Sequence, residues 1–317
     1  GHRRRSQMVR RALCVGCNYP DRFWLAGAVN DAFLVADSLK RSRGFAPHEV
    51  RVLHDAEPGP GHNRQICVSD PERFPSRANI LQQLTWLTRD VRPGDVLLFS
   101  FSGVGLLVED ASGEIGTGFD EAILPSDSPG FSQGGSLSSV ILASEIHDIV
   151  MGVPRGCSMT LVMDTDHATT VVDVAGTLTG GLVRGIMQER PPDLCGIPTP
   201  SSKMEFAMHR REVWSSDAAR AASVRPRFHP VAEINTRVCG SRPWRSSMSK
   251  GVGAVVCYSA ASHGQTAVEL VPPGADRSYG VLSYCFAVAL ARGCPTHLRL
   301  LEDIRASVEL LRAECAP

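Results

Sequence analysis

Apolar and polar residues follow two different periodicities along the first half of the chain. Short apolar runs predict buried β-strands, and three of them precede residue 104: 11–17, 50–55 and 94–103. Segments 28–44 and 76–91 place apolar residues three or four positions apart, which predicts helices; Gly44 ends the first and Ser76 caps the second. Strands that alternate with helices form a mostly parallel sheet covered on both faces, so the predicted fold class is α/β.

The second half continues this alternation after one long interruption. We predict loops at 57–75 and 126–139, a hairpin at 106–124, a helix at 141–153, a strand at 157–164, regular structure at 251–260 and 279–293, and a terminal helix at 297–315. Residues 175–250 lack periodicity and are rich in Pro, Arg and Ser, which predicts a long insertion or linker. We therefore expect a basic N-terminal tail at 1–10 and a single domain at 11–317.

Composition and charge limit which classes of partner and which cellular compartment we expect for this protein. The 317 residues are 43% hydrophobic, enough for a sizeable core, and Lys plus Arg equal Asp plus Glu at 33 each. This balance favours neither nucleic acid nor an anionic membrane, and no apolar run reaches the roughly 18 residues of a membrane span. Ten cysteines lie at irregular spacings, and Cys14 and Cys17 are predicted to point to opposite faces of one strand. We expect reduced thiols and a cytoplasmic protein.

The side chains with catalytic potential cluster in "LVMDTDHATT" (161–170), which contains Asp164, Asp166 and His167. The cluster follows a predicted strand directly, and open α/β sheets bind ligands at the carboxyl ends of their strands. Three interpretations fit: a metal or phosphoryl-transfer site using both aspartates, a hydrolytic site using the histidine, or a site that has lost its chemistry. The stretch resembles the D-x-D-x-T motif of haloacid dehalogenase-type phosphotransferases, but Ala168 replaces the threonine and no downstream acidic motif completes a magnesium site.

A series of spaced motifs decides between these interpretations. They are "RALCVGCNYP", "LAGAVNDA", "LKRSRGF", "SRANILQQLTWLTRDVRPGDVLLFSFSG", "GFDEAILPSD", "LVMDTDH", "SAASHGQTA" and "YGVLSYCFAVAL". In order and approximate spacing, over about 11–174 and 251–293, they resemble the metacaspases, a family of caspase-like peptidases. The resemblance implies a caspase-like α/β/α sandwich with a mostly parallel central sheet.

The resemblance also implies that both catalytic residues are missing. The family's histidine base lies in a serine-glycine-histidine-glycine motif, and here Val104 stands at its position in 102–105. The family's cysteine nucleophile follows an aspartate and another cysteine, and here Asp166 stands at its position. Valine cannot accept a proton, and a carboxylate attacks an amide far less readily than a thiolate does. We therefore expect a catalytically inactive homologue that retains only the backbone donors of Gly105 and Asp166 at the family's oxyanion position.

The family's substrate pocket is better preserved. Asp31, Ser102 and Asp164 match the residues that, by resemblance, line an acidic pocket for an arginine or lysine side chain. Asp166 adds a further carboxylate, and crowded like charges favour a guanidinium, a metal or a shared proton. The resemblance thus implies a protein or peptide partner with basic residues, or regulation of an active metacaspase. The alternative is structural, with Asp31 capping a helix and Asp164 binding loop amides.

Calcium activates many metacaspases. This sequence matches only part of the calcium site that the family resemblance implies. The resemblance carries Asp120 and Asp173 onto two of the three ligand positions, while the third falls on Ala143 and Ser144. Calcium takes six to eight oxygens, so a site would need Glu145 and Glu121 as well. We expect no required cofactor and at most a weak calcium site.

Two active alternatives stay open at this point. A relocated dyad of Cys257, just before "SAASHGQTA", and His263, within it, would make the chain a calcium-stimulated peptidase specific for Arg or Lys. An aspartate-based phosphotransferase would instead use Asp164 as its nucleophile.

Overall fold

The computed structural model describes residues 8–21, 25–60, 70–109, 119–128, 139–166, 224–226, 254–261 and 267–315. The strands are β1 (Arg10–Gly16), β2 (Val50–His54), β3 (Val96–Ser102), β4 (Gly105–Glu109), β5 (Phe119–Ile123), β6 (Ile141–Leu142), β7 (Ser158–Asp164), β8 (Val224–Pro226), β9 (Ala254–Ser259), β10 (Val268–Leu270) and β11 (Tyr279–Gly280). The helices are α1 (Ala28–Arg43), α2 (Arg77–Thr88), α3 (Ala143–Met151), α4 (Val281–Ala291) and α5 (His297–Cys315), with 3₁₀ turns at Pro47–Glu49 and Pro71–Arg73.

A parallel sheet of order β2-β1-β3-β7-β9 forms the centre of the fold. Its strands alternate along the chain with α1, α2 and α3, as the apolar runs and amphipathic segments predict. The mixed α/β class with a mostly parallel sheet is therefore confirmed. Two small antiparallel sheets accompany it, β4-β5-β6 and β11-β10-β8. The first contains the predicted hairpin.

Helices cover both faces of the central sheet, because alternate residues of each strand point in opposite directions. In β1, Leu13 and Val15 pack toward α2 and α3, whereas Ala12 and Cys14 pack toward α1, α4 and α5. Cys17 belongs to the first of these two cores, so Cys14 and Cys17 lie on opposite faces as predicted. Both are free thiols.

Local sequence signals correctly marked the end of α1 and the start of α2, whereas α2 ends at Thr88, three residues before the predicted end at 91. Gly44 follows α1 in a left-handed conformation with φ of 67°, which glycine adopts without strain. Ser76 caps α2 by accepting a hydrogen bond from the Asn79 amide at 3.1 Å. The predicted helix at 141–153 begins later, because its first two residues pair with β5 as β6.

The predicted insertion at 175–250 lies outside the described residues, apart from β8, which pairs with β10. Its role as an insertion within a single domain at 11–317 stays a prediction, as does the tail at 1–10. Among the residues that the structure covers, no helix is both long and apolar enough to cross a membrane.

The close approach of α1 to the end of β1 positions the first turn of that helix. A Cβ atom added to Gly16 would overlap the Ala28 carbonyl oxygen and lie 2.8 Å from Val29 Cα. We expect Gly16→Ala to lower the free energy of unfolding by about 1–3 kcal/mol, because α1 must move away from the sheet. Urea denaturation followed by circular dichroism measures the change.

Gly59→Ala is the matched control, since a Cβ there meets no atom within 4 Å. We expect it to leave the stability unchanged or slightly higher, because alanine restricts the unfolded chain more than glycine does. Equal losses for the two variants would contradict the proposed close packing at Gly16.

Candidate functional site

The carboxyl ends of three parallel strands meet where the sequence places its chemistry. Ser102 at the end of β3 is in register with Gly16 of β1 on one side and with Asp164 of β7 on the other. Val162 faces α4, so Asp164, two residues later, faces the same helix. Asp31 lies in the first turn of α1, whose amino terminus is at this edge.

The three residues predicted to line an acidic pocket are brought together here. The Ser102 hydroxyl donates to Asp31 Oδ2 at 2.6 Å. The Gly280 amide donates to Asp31 Oδ1 at 2.8 Å, and the Ser283 amide donates to Asp164 Oδ2 at 2.8 Å. The exposed fractions of Asp31, Ser102 and Asp164 are 1%, 1% and 0%. The predicted acidic pocket is therefore buried, and both of its aspartates are bound to amides at the start of α4.

Both aspartates act as tertiary caps for α4. The helix has no charged side chain, and its N-cap residue, Gly280, cannot accept a hydrogen bond through a side chain. Asp31 and Asp164 supply acceptors for its first amides and place negative charge at the positive end of its dipole. Each such cap stabilises a helix by about 1 kcal/mol. Asp31 thus caps a helix as the structural alternative has it, whereas Asp164 binds a helix amide and not the expected loop amides.

Val104 occupies an apolar position just after β3. Its side chain is 2% exposed and belongs to the core on the α2 and α3 side. Its amide donates to the Tyr19 hydroxyl at 3.0 Å, and that hydroxyl donates to the Leu124 carbonyl at 2.6 Å. Burial raises the pKa of Tyr19 well above its usual value, so the hydroxyl stays a neutral donor. Sequence reasoning missed Tyr19, although it lies in the motif "CNYP".

Asp166 is a buried structural acceptor in the described conformation. Its side chain is 2% exposed, and its Oδ1 accepts a short hydrogen bond from the Ala267 amide, 101 residues away. Gly105 packs against it so closely that a Cβ atom would overlap the Asp166 carbonyl oxygen. The two residues predicted to keep backbone donors are therefore adjacent, and the Asp166 carboxylate joins β7 to the segment that leads into β10.

Glu269 is a second residue that sequence reasoning missed. Its carboxylate accepts from the Ala26 and Gly27 amides at 3.1 and 2.9 Å and is 1% exposed. Gly27 is the N-cap of α1, so Glu269 caps that helix from β10. The available signal was a single carboxylate in the otherwise apolar strand "VEL", which a solvent-facing strand position would also explain.

The described residues do not assemble the calcium site that the family resemblance implies. Asp120 accepts a hydrogen bond from the Ser144 hydroxyl at 3.0 Å, so two of the implied positions are adjacent. Glu145 is used elsewhere, because Arg77 binds its Oε1 at 2.5 Å. Asp173 lies outside the described residues. Within the part of the chain that is described, no group of three or more potential metal ligands converges.

The geometry supports neither the relocated cysteine–histidine dyad nor the aspartate-based phosphotransferase. Burial, together with the nearby charge of Glu121, raises the pKa of Cys257 to about 12, so this half-buried thiol is protonated at neutral pH. A protonated thiol is a poor nucleophile. His263 and His167 lie outside the described residues. Asp164 is fully buried beneath α4, which disfavours attack on a phosphoryl group.

The bond between Asp166 and Ala267 should contribute measurably to stability. We expect Asp166→Ala to lower the free energy of unfolding by about 1–3 kcal/mol, because the buried Ala267 amide loses its acceptor. Asp166→Asn keeps an acceptor oxygen and should lose less, which urea denaturation of both variants would show. A larger loss for Asn than for Ala would contradict this role.

The chain is similar in sequence to known proteins of one family. The family profile described as "Metacaspase, peptidase C14 domain" matches residues 10–175, slightly more than half of the chain. Metacaspase-1 of Kluyveromyces lactis is 26% identical over 302 residues, which cover 94% of this chain and 63% of that protein. Metacaspase-1 of Yarrowia lipolytica is 32% identical over 182 residues, which cover 57% of this chain and 35% of that protein.

The chain therefore spans less than two thirds of the length of these two relatives. A crystal structure of a Geobacter sulfurreducens protein is 21% identical, covers 52% of this chain and 53% of that chain, and has a TM-score of 0.36, too low to establish a common fold. The family match and the parallel sheet covered by helices agree with the caspase-like fold. The chain belongs to the metacaspase family of peptidase C14 domains.

Proposed function

We propose that this metacaspase-family chain binds a partner without cleaving it. The observation that carries the proposal is the pair of residues at the two strand ends, where the family resemblance puts a histidine and a cysteine. Val104 is buried in an apolar environment with its amide bound to Tyr19, and Asp166 is bound to the Ala267 amide. Valine has no group that can accept a proton, and a carboxylate attacks an amide far less readily than a thiolate does.

The energetic consequence of losing both residues is large. Removing either member of a nucleophile and base pair costs on the order of 10³ to 10⁶ in rate, and removing the second adds little. Backbone donors near Gly105 and Asp166 would leave weak stabilisation of an oxyanion, with no group to attack the substrate. Cys257 does not replace the nucleophile, because its raised pKa keeps the thiol protonated.

The expected ligand is a basic side chain on a protein or peptide. Asp31 and Asp164 both bind amides at the start of α4, and two carboxylates gathered at one end of the sheet favour the arrival of a cation. A guanidinium can bind a carboxylate through two parallel hydrogen bonds, which gives it an advantage over neutral side chains. An active metacaspase that presents Arg or Lys, or another protein with an exposed basic segment, fits this chemistry.

The cellular setting that we propose is the cytoplasm. Six cysteines within the described ranges are free thiols, and several are buried in the two cores. Reduced thiols persist in reducing compartments, whereas secreted proteins usually form disulfides.

The first prediction of this proposal concerns peptidase activity. We expect the purified chain to release no fluorophore above the buffer background from blocked peptides ending in Arg or Lys, with or without calcium. An active metacaspase assayed in parallel verifies the substrates. Turnover by the native chain that disappears in Cys257→Ala or His263→Ala would refute the proposal and support the relocated dyad.

A double variant that restores the family's histidine and cysteine tests whether the rest of the cleft still supports catalysis. We expect Val104→His with Asp166→Cys to gain turnover, whereas each single substitution stays inactive because the nucleophile and the base act as a pair. Asp166→Cys also removes the acceptor for Ala267, so the folded state of the revertant is verified by circular dichroism.

The second prediction concerns the acidic pocket. We expect calorimetry to detect binding of a blocked arginine peptide, and Asp31→Asn to weaken it by about tenfold or more, because the charge is lost while the hydrogen-bonding shape is kept. Asp37→Asn is the matched control, since Asp37 lies in the same helix and pairs with Lys40 on the surface.

A peptide with citrulline in place of arginine tests the need for a cation. Equal affinity for the two peptides, or equal effects of Asp31→Asn and Asp37→Asn, would contradict recognition by the acidic pocket.

A further inference from the structure

The first turn of α4 occupies the place that a basic side chain would need. Asp164 is fully buried, and the Ser283 amide is 2.8 Å from its Oδ2. A guanidinium or ammonium group must approach a carboxylate oxygen to about the same distance to form a charge-assisted hydrogen bond. A cation that approaches Oδ2 therefore meets the Ser283 amide, which is already bound there.

We propose that the Ser283 amide and a basic side chain compete for Asp164, so that α4 acts as an intramolecular inhibitor of the acidic pocket. This inference rests on the proposed function. It adds that the pocket is closed in the free protein and that ligand binding displaces the first turn of α4. The apparent affinity is then lowered by the small fraction of molecules in which that turn is open.

The contacts on either side of Ser283 indicate which part moves. Gly280 is anchored, because it pairs with Glu269 in the small sheet and donates to Asp31. Ser278 is also held, since the Asn30 side chain donates to its carbonyl oxygen at 3.0 Å. Ser283 lies beyond these anchors, and its side chain is 2% exposed, so opening there also uncovers part of the buried first turn. In this proposal, opening begins at Ser283, because its amide is the group bound to Asp164.

The composition of α4 makes this turn dependent on the acidic pocket. The helix reads "VLSYCFAVALA", without an acidic residue in its first turn to interact with its dipole. The favourable charge at its amino terminus comes from Asp31 and Asp164, which belong to α1 and β7. A cation that takes over Asp164 removes part of that stabilisation, which is the physical basis of the competition.

A proline scan of the first turn tests the competition directly. Ser283→Pro removes the amide that binds Asp164 and leaves the carboxylate in place. Proline is compatible with the first turn of a helix, because it lacks only an amide that has no partner within the helix. Val281→Pro is the matched control, with the same substitution in the same turn and the Ser283 amide intact.

We expect Ser283→Pro to lower the dissociation constant for the blocked arginine peptide by about tenfold, the equivalent of one hydrogen bond to a charged group. Val281→Pro should change it by less than about twofold. An unchanged or higher dissociation constant for Ser283→Pro, beside clear binding by the native chain, would overturn the competition and leave the proposed function standing. No binding by either protein would overturn both.

Hydrogen exchange on the native chain provides a second measurement that does not depend on a variant. We expect saturating arginine peptide to speed amide exchange at residues 281–284, because Ser283 loses its acceptor. Slower exchange there would mean that the peptide covers an intact helix turn, which would contradict displacement of α4. The citrulline peptide should leave the exchange unchanged.

Discussion

The register of β1, β3 and β7 is the constraint on which the rest of the site depends. Parallel pairing places Gly16, Ser102 and Asp164 side by side at the carboxyl edge of the sheet. Because alternate residues face opposite directions, Asp164 points toward α4, and Ser102 meets Asp31 of α1. A shift of β7 by one residue would turn Asp164 to the other face and remove the acceptor that caps α4.

Buried carboxylates at this edge replace helix caps that the local sequence lacks. Glu269 holds the start of α1, while Asp31 and Asp164 hold the start of α4. Glu269 is also paired with Gly280, the residue that donates to Asp31. The two helices and the small sheet therefore stabilise each other through charge-assisted hydrogen bonds to backbone amides. An acidic cluster that suggests catalysis in the sequence thus has a structural function in the free protein.

Val104 and Asp166 stand at the two positions where the family resemblance puts catalytic residues. Each makes a different structural contact. Val104 contributes an apolar side chain to a core, and its amide is bound by Tyr19. Asp166 joins β7 to the segment before β10 through the Ala267 amide. Both residues therefore make contacts that stabilise the fold.

The sequence by itself determined what depends on neighbouring residues. Apolar runs identified the central strands, Gly44 and Ser76 marked helix ends, and strand parity separated Cys14 from Cys17. The family resemblance of the motifs also assigned Asp31, Ser102 and Asp164 to one site. The strands, the helix ends and the strand parity follow from backbone periodicity and local capping, which act over a few residues.

Tertiary structure alone decided the partners of those side chains. The contacts of Asp164 with Ser283, of Asp166 with Ala267 and of Glu269 with Gly27 join residues 119, 101 and 242 positions apart. No local pattern encodes such pairs, because each depends on how separate helices and strands pack around the sheet. The sequence therefore assigned Asp31 and Asp164 to this edge through the family resemblance, whereas packing alone added Glu269 and decided that all three carboxylates are buried caps in the free protein.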